Sequence, residues 1–234
     1  MSLALASALL DMLLFHAKIA RSFGLIYDMP QTHSRPRKGD ATRAVILDAA
    51  LRLAGTSGID ALTIGVLAQL TSMSKSGVFA HFGSREDLQI AVVQEYHQRF
   101  QRDVFEPAMA QPRGLARLQA LIDNWMRLAT HEIAQGCIYM SGAFEYDDRP
   151  GPVRDALVQS LTTWRHALVR ACRQAIEQDQ MRSDIDAEQL VFELMGLMLA
   201  LHHDARFLKR PDALERASHG MSRLIDRYRM PLAT

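Results

Sequence analysis

Residues 63 to 82 read Thr63-Ile-Gly-Val-Leu-Ala-Gln-Leu-Thr-Ser-Met-Ser-Lys-Ser-Gly-Val-Phe-Ala-His-Phe82. The pattern predicts two short helices, one from Thr63 to Leu70 behind a threonine cap and one from Ser74 to His81, with a tight turn between them. Such helices are too short to persist alone and need a supporting partner. Ile64, Leu67, Ala68, Met73, Val78 and Phe82 are spaced to hold the pair at a fixed angle. The second helix opens with Ser74, Lys75, Ser76 and Gly77, all small or cationic. Small residues let a helix N-terminus approach the floor of the DNA major groove, where Lys75 meets a phosphate or the acceptors of guanine.

Working outward, the support comes first. Leu47, Ala50, Leu51 and Ala54 follow helical spacing and predict an amphipathic helix stopped by Gly55 and Gly58. After the pair, Gly83 breaks the chain. Ser84 with Asp87 then resembles a capping box for a long helix through Leu88, Ala91, Val92 and Tyr96. Pro107 and Pro112 are expected to close it. Leu115, Leu118, Ile122 and Trp125 form the next stripe. Asp147 to Pro152 is a turn by composition. Val153, Leu157, Leu161, Trp164, Leu168 and Cys172 line another long helix. Asp186 is a plausible cap for a helix from Ala187 to Leu208, apolar nearly all round between Leu190 and Leu201. Pro211 is expected in the first turn of the last helix, where Leu214, Ala217, Met221, Leu224, Ile225 and Tyr228 share a face. No segment sustains the alternation of a strand. The expected fold is all-α: an N-terminal three-helix domain with a helix-turn-helix, and a larger C-terminal helical domain for ligand binding and dimerisation.

Composition is consistent with this but does not demand it. The chain has 234 residues and a net charge of +1, with 48% hydrophobic and 23% charged residues, as expected of a globular protein with a real core. Between Ser34 and Ile90 seven basic residues face five acidic ones, a small excess of the sign a phosphate-binding surface needs. Cys137 and Cys172 match no metal-ligand spacing and no disulfide framework, which points to a reducing, cytoplasmic location.

Residues 1–38 read as an extension. Leu3 to Phe15 is apolar, but it lacks a basic region before it and Asp11 interrupts it, so an export signal is the weakest of three readings. A start of translation near Met29 and an extra amphipathic helix lined by Leu5, Leu9, Leu13 and Ala20 are the others. Arg35, Arg37 and Lys38 are placed either to reach a minor groove or to form a solvated tail.

The 63–88 stretch resembles the helix-turn-helix of the TetR (tetracycline repressor) family. It agrees with that pattern at Thr63, Ala68, Ser74, Lys75, His81, Phe82, Ser84, Glu86 and Leu88, and conservatively at Ile64, Leu67, Met73, Val78, Phe79 and Arg85. The resemblance implies phosphate contacts from Thr63, Ser74, Lys75, His81 and Arg85, and places Ser76 and Gly77 against base edges. Three positions depart. Ser72 stands at a turn position usually held by glycine, often with positive φ. Ser76-Gly77 replaces Gly-Thr, which makes the helix less rigid. Phe79 occupies the DNA-facing position of a tyrosine whose hydroxyl meets a phosphate; that contact is absent, and the ring is expected to serve packing. The division implied is extension 1–38, DNA-binding domain 39–84, and ligand-binding and dimerisation domain 85–234.

By the same resemblance, the C-terminal domain binds a small-molecule effector between its middle helices and forms a homodimer through its last two. Candidate pocket residues are Trp125, Met126, Leu128, Tyr139, Met140, Phe144, Trp164 and Leu168, each also readable as plain core. No enzyme is expected. Glu145, Asp147 and Asp148 resemble an acid/base group but sit at a helix end, where capping explains them. His202 and His203 point about 100° apart on a helix and have no third ligand four residues on. The expected metal and cofactor content is therefore none. The implied function is a ligand-responsive DNA-binding regulator, a repressor released from operator DNA by a small molecule. The competing reading is an all-helical ligand-binding or interaction protein without a DNA role, which a Lys75 substitution would separate.

Overall fold

A computed structural model describes residues 38–231 of the chain, and every described element is helical. The readings made for residues 1–37, including the amphipathic helix, the export signal and the Arg35–Arg37 arm, lie outside the described residues. No described helix is long and apolar enough to cross a membrane.

The first helix, α1 (Lys38–Ser57), buries Ile46, Leu47, Ala50 and Ala54. It runs through Gly55 rather than stopping there. Glycine weakens a helix interior but does not end it when tertiary contact holds the turn. The short helices are α2 (Ile64–Leu70) and α3 (Lys75–Phe82). Leu67, Ala68, Val78 and Phe82 are buried against α1, while Ile64 and Met73 close the rim. Arg43 of α1 lies over the Phe82 ring, 4.7 Å from its centroid. These three helices form the head.

α4 (Arg85–Phe100) joins head to body. Its far end widens into a π-helical turn, Gln101–Phe105, and continues as the short α5 (Glu106–Met109). Pro107 therefore does not close the helix. A proline ring clashes with the carbonyl four residues back and donates no hydrogen bond, and the wider turn before it absorbs both defects. The buried Asn124 amide takes up the Val104 carbonyl at 2.9 Å.

The body comprises α6 (Leu115–Gln135), α7 (Ile138–Glu145), α8 (Pro152–Glu177), α9 (Ala187–His202) and α10 (Ala213–Tyr228). α7 has too few turns to show its own periodicity in the sequence. At the centre Trp164 meets Trp125 and Phe100 edge to face, with centroids 5.3 and 4.8 Å away, an arrangement that adds about 0.5–1.5 kcal/mol per pair beyond burial. α9 ends its regular turns at His202 and passes into a second π-helical turn, His203–Phe207, so Leu208 lies outside it. Pro211 precedes α10 rather than entering it, and Asp212 holds the boundary position. From Lys38 onward the helices pack as one compact unit.

Candidate nucleic-acid interface and the cavity behind it

Capping chemistry builds the helix-turn-helix. The Thr63 hydroxyl accepts the Val66 N–H at 3.1 Å, and the Ser74 hydroxyl accepts the Gly77 N–H at 3.0 Å. Each hydroxyl still has its own proton to donate outward. The turn between them passes through Ser72 at φ 55°, a left-handed conformation that favours glycine. Ser76 sits beside Ser74, with the two hydroxyl oxygens 3.1 Å apart. Lys75 and Ser76 are exposed at the start of α3, and Gly77 is half-buried.

The expected set divides at its far end. His81 is half-buried, its ring tilted against Phe82 at 6.3 Å. Phe79 does not serve packing: it is 54% exposed. Val78 and Phe82, four apart, occupy the inward face, and Phe79 lies about 100° round the helix from Val78. Arg85 is engaged within the chain. Its Nε donates to the Leu62 carbonyl at 3.1 Å, and its Nη2 donates to the Asp60 carbonyl and, at 2.7 Å, to the Asp60 carboxylate. It braces the loop that leads into α2.

A second residue grips the same loop. Glu145, at the end of α7, accepts the N–H groups of Ile59 and Asp60 at 2.8 and 2.6 Å. It caps the head from the body, not its own helix terminus as its position in sequence suggested. The partner donors stand 85 and 86 residues away, beyond any local signal. Gln89 adds a buried bond to the Ile59 carbonyl at 3.0 Å.

Close beside this joint, the turn between α6 and α7 presses on the end of α1. Gly136 has φ 95°, and a Cβ there would lie 1.6 Å from the Gly55 carbonyl oxygen. Arg206, on the second π-helical turn, donates to the Glu132 and Ile133 carbonyls at 2.8 and 3.1 Å and reaches the Gly55 carbonyl at 3.5 Å. The cation thus caps the C-terminus of α6, where unpaired carbonyls gather.

Behind the joint is a cavity of about 480 Å³, walled by Gly55, Cys137, Met140, Phe144, His202 and Arg206 among others. Of the eight residues expected around an effector, Met140 and Phe144 line it. Trp125, Tyr139, Trp164 and Leu168 are closed core, Leu128 is half-buried, and Met126 faces a smaller groove with Met221 and Ile225. The aromatic residues pack against one another instead of around a space, and the cavity opens between helix ends.

At the cavity's inner edge lie Glu132, Cys137 and His202, all buried, with one donor atom of each within 4.8 Å of the others. Tyr96 donates to Glu132 Oε1, and its oxygen lies 3.4 Å from Cys137 Sγ. Among the described residues, Glu132 Oε2 and both ring nitrogens of His202 have no hydrogen-bond partner. His202 Nε2 stands 3.5 Å from Glu132 Oε2, as an ion pair would. Desolvation works against that charge state. It pushes the Glu132 carboxyl up and, helped by Arg206, takes His202 down to about 4. It also raises the Cys137 thiol far above its usual range, with Glu132 adding to the effect. The sequence offered no sign of this cluster, because its members come from three separate elements.

Two family models match the chain: residues 46–92 match "Bacterial regulatory proteins, tetR family", and residues 114–221 match "Tetracyclin repressor-like, C-terminal domain". No curated protein matches. Solved structures with the same fold include a TetR-family regulator from Cytophaga hutchinsonii, with TM-score 0.73 and 18% identity over 85% of this chain and 100% of that one. Another is a TetR regulator from Chloroflexus aurantiacus J-10-FL, with TM-score 0.72 and 23% identity over 83% of this chain and 100% of that one. A putative transcriptional regulator from Saccharomonospora viridis, solved with choline, has TM-score 0.67 and 18% identity over 80% of this chain and 96% of that one. With both the head and the helical body matched, the chain belongs to the TetR family of bacterial transcriptional regulators.

Proposed function

We propose that this protein is a cytoplasmic, homodimeric, sequence-specific DNA-binding repressor that leaves its operator when a small molecule occupies the cavity. The observation that carries the reading is the start of α3. Ser74, Lys75 and Ser76 stand exposed on a helix N-terminus that is capped and braced from three sides. In this reading Thr63, Ser74, Lys75 and His81 meet phosphates, and Ser76 and Gly77 face base edges. Phe79 lies on the same open surface, where an apolar ring suits a thymine methyl. Arg85 contributes by holding the 60–62 loop, and with it the angle at which Thr63 meets the backbone. Functionally the head is 39–84 and the body 85–234.

Two heads can read successive major grooves only if paired at roughly 34–36 Å. The proposed pairing surface is on α9, where Phe192 and Leu199 are 61% and 41% exposed, seven residues apart on one face. α10 turns Ala217, Met221, Leu224 and Ile225 inward, so it supports α9 in the dimer and presents its polar side. An effector in the cavity touches Gly55 of α1 directly, and α1 carries the head. Release then needs only that the effector prefer one setting of this joint over the other.

The test is a mobility shift on the upstream region of the protein's own gene, at two salt concentrations with competitor DNA, followed by selection from a random pool. A discrete, salt-sensitive shift that survives competitor is expected. Failure to enrich any sequence from the pool would remove the DNA reading.

A further inference from the structure

We propose that Glu132, Cys137 and His202 form a binding site for a divalent transition-metal ion of the zinc class, open on its fourth side to the cavity. Its consequence for DNA binding rests on the function proposed above; the site itself does not.

The donor set is suited to that ion. Imidazole nitrogen, thiolate sulfur and carboxylate oxygen are the three ligand types of zinc, with bonds of about 2.0–2.3 Å. A tetrahedral ion with such bonds holds its donors roughly 3.5 Å apart. His202 Nε2 and Glu132 Oε2 already stand at 3.5 Å. The Cys137 sulfur lies within the 4.8 Å that encloses all three donors, so it needs to close by roughly an ångström at most. Tyr96 holds Glu132 through Oε1, leaving Oε2 facing His202 Nε2, as an outer hydrogen bond does for a metal-bound carboxylate.

Several observations make this cluster unusual for plain core. Glu132 and His202 are 4% and 6% exposed, yet among the described residues Oε2 and both imidazole nitrogens make no hydrogen bond. Leaving such groups unmet forfeits their hydration with nothing in return, so native cores rarely do so. An ion would satisfy two of these three atoms at once. Charge also balances, since a carboxylate and a thiolate together neutralise a divalent cation. The guanidinium of Arg206 is directed to the carbonyls of residues 132, 133 and 55. Cys137 and His202 line the cavity, which leaves the fourth position for water or a donor from a bound molecule. Three protein ligands with one open position is the arrangement of a reactive or exchangeable zinc site, not a closed structural one.

The position matters as much as the chemistry. Glu132 lies in the last turn of α6, Cys137 follows Gly136, and His202 precedes the turn that carries Arg206. Gly136 and Arg206 both lie against Gly55 of α1, as does Gln135 at the end of α6. Drawing the three ligands onto an ion pulls on the elements that set the head against the body.

The experiment uses the full-length protein, stripped with chelator and titrated with Co2+. One ion per chain and an intense near-ultraviolet thiolate-to-cobalt band are expected, with the band erased by added Zn2+. Cys137→Ser removes the band and Cys172→Ser keeps it; circular dichroism confirms that both remain folded. Tyr96→Phe, which leaves all three donors in place, weakens binding by about tenfold. No thiolate band, or a band that survives Cys137→Ser, overturns the site. If the site stands, Zn2+ changes the mobility-shift affinity by about fivefold or more in wild type and not in Cys137→Ser. An unchanged shift overturns the regulatory link alone. If no DNA sequence is bound at all, the regulatory link falls with the DNA reading, and the cobalt titration still decides the site.

Discussion

Ser72 and Lys75 lie three residues apart and act on different properties. Ser72 holds φ 55° in the turn, where a β-carbon is disfavoured by about 1–2 kcal/mol. Glycine relieves this but loses more entropy on folding, by about 0.5–1 kcal/mol. Ser72→Gly is therefore expected to stabilise by a few tenths to about 1 kcal/mol, read as a higher denaturation midpoint with unchanged slope. A fall in midpoint would mean that the serine side chain matters more than its backbone. Lys75 is exposed, and no acidic group pairs with it among the described residues. Lys75→Ala should weaken binding uniformly across DNA sequences and lower the salt slope by about 1. Stability should stay within about 0.5 kcal/mol of wild type. Sequence-selective loss instead would move Lys75 from phosphate to base edge.

Helix ends carry the next scale of argument. Glu145 joins α7 to the loop before α2 with two charge-assisted bonds, and each such bond contributes about 1.5–3 kcal/mol where water is excluded. The site is only part-buried, so Glu145→Gln is expected to cost about 1–2 kcal/mol in all. The glutamine keeps one acceptor and brings an NH2 against a backbone donor. Hydrogen exchange at Ile59 and Asp60 should quicken at the same time; unaltered exchange there would contradict the clamp. At the start of α10, Arg210 and Arg216 bond to Asp212 and hold its carboxyl down to about 2. A depressed folded value means the contribution is present above the ordinary carboxylate range and is lost as pH falls from about 4 through about 2. Asp212→Asn should lower Tm slightly at pH 6, and the gap should close by pH 2. A gap that persists at pH 2 would assign the effect to geometry, not charge. Asp212 is half-buried and both arginines are exposed, so salt should also narrow it.

For the whole molecule, the question is what covers α9. Phe192 and Leu199 are 61% and 41% exposed on one face of a helix whose opposite side is buried, and apolar side chains grouped on an open face mark an interface. Phe192→Glu should leave the monomer folded, since the side chain has few partners to lose within the chain. Light scattering is expected to show a dimer for wild type and a monomer for the variant, with DNA binding much weakened because two half-sites can no longer be engaged together. A dimer that survives the substitution would place the interface elsewhere.

What the sequence determined by itself was local. The caps at Thr63, Ser84 and Asp186 form as read, because a cap bond spans two or three residues and needs nothing from the rest of the chain; Ser74, read as the first residue of α3, caps that helix instead. Helical periodicity marked the buried faces for the same reason, and with the small, cationic start of α3 it made the helix-turn-helix and the family legible. The tertiary structure decided where the ends of helices meet. Glu145 clamps Ile59, Phe79 stays in solvent, and the expected aromatic pocket closes into core while a cavity opens beside Gly55. Glu132, Cys137 and His202 converge from three elements, the last of them 70 residues along from the first. Such contacts depend on the angle and offset at which helices cross, and these follow from packing the whole core together. No spacing along the chain records them.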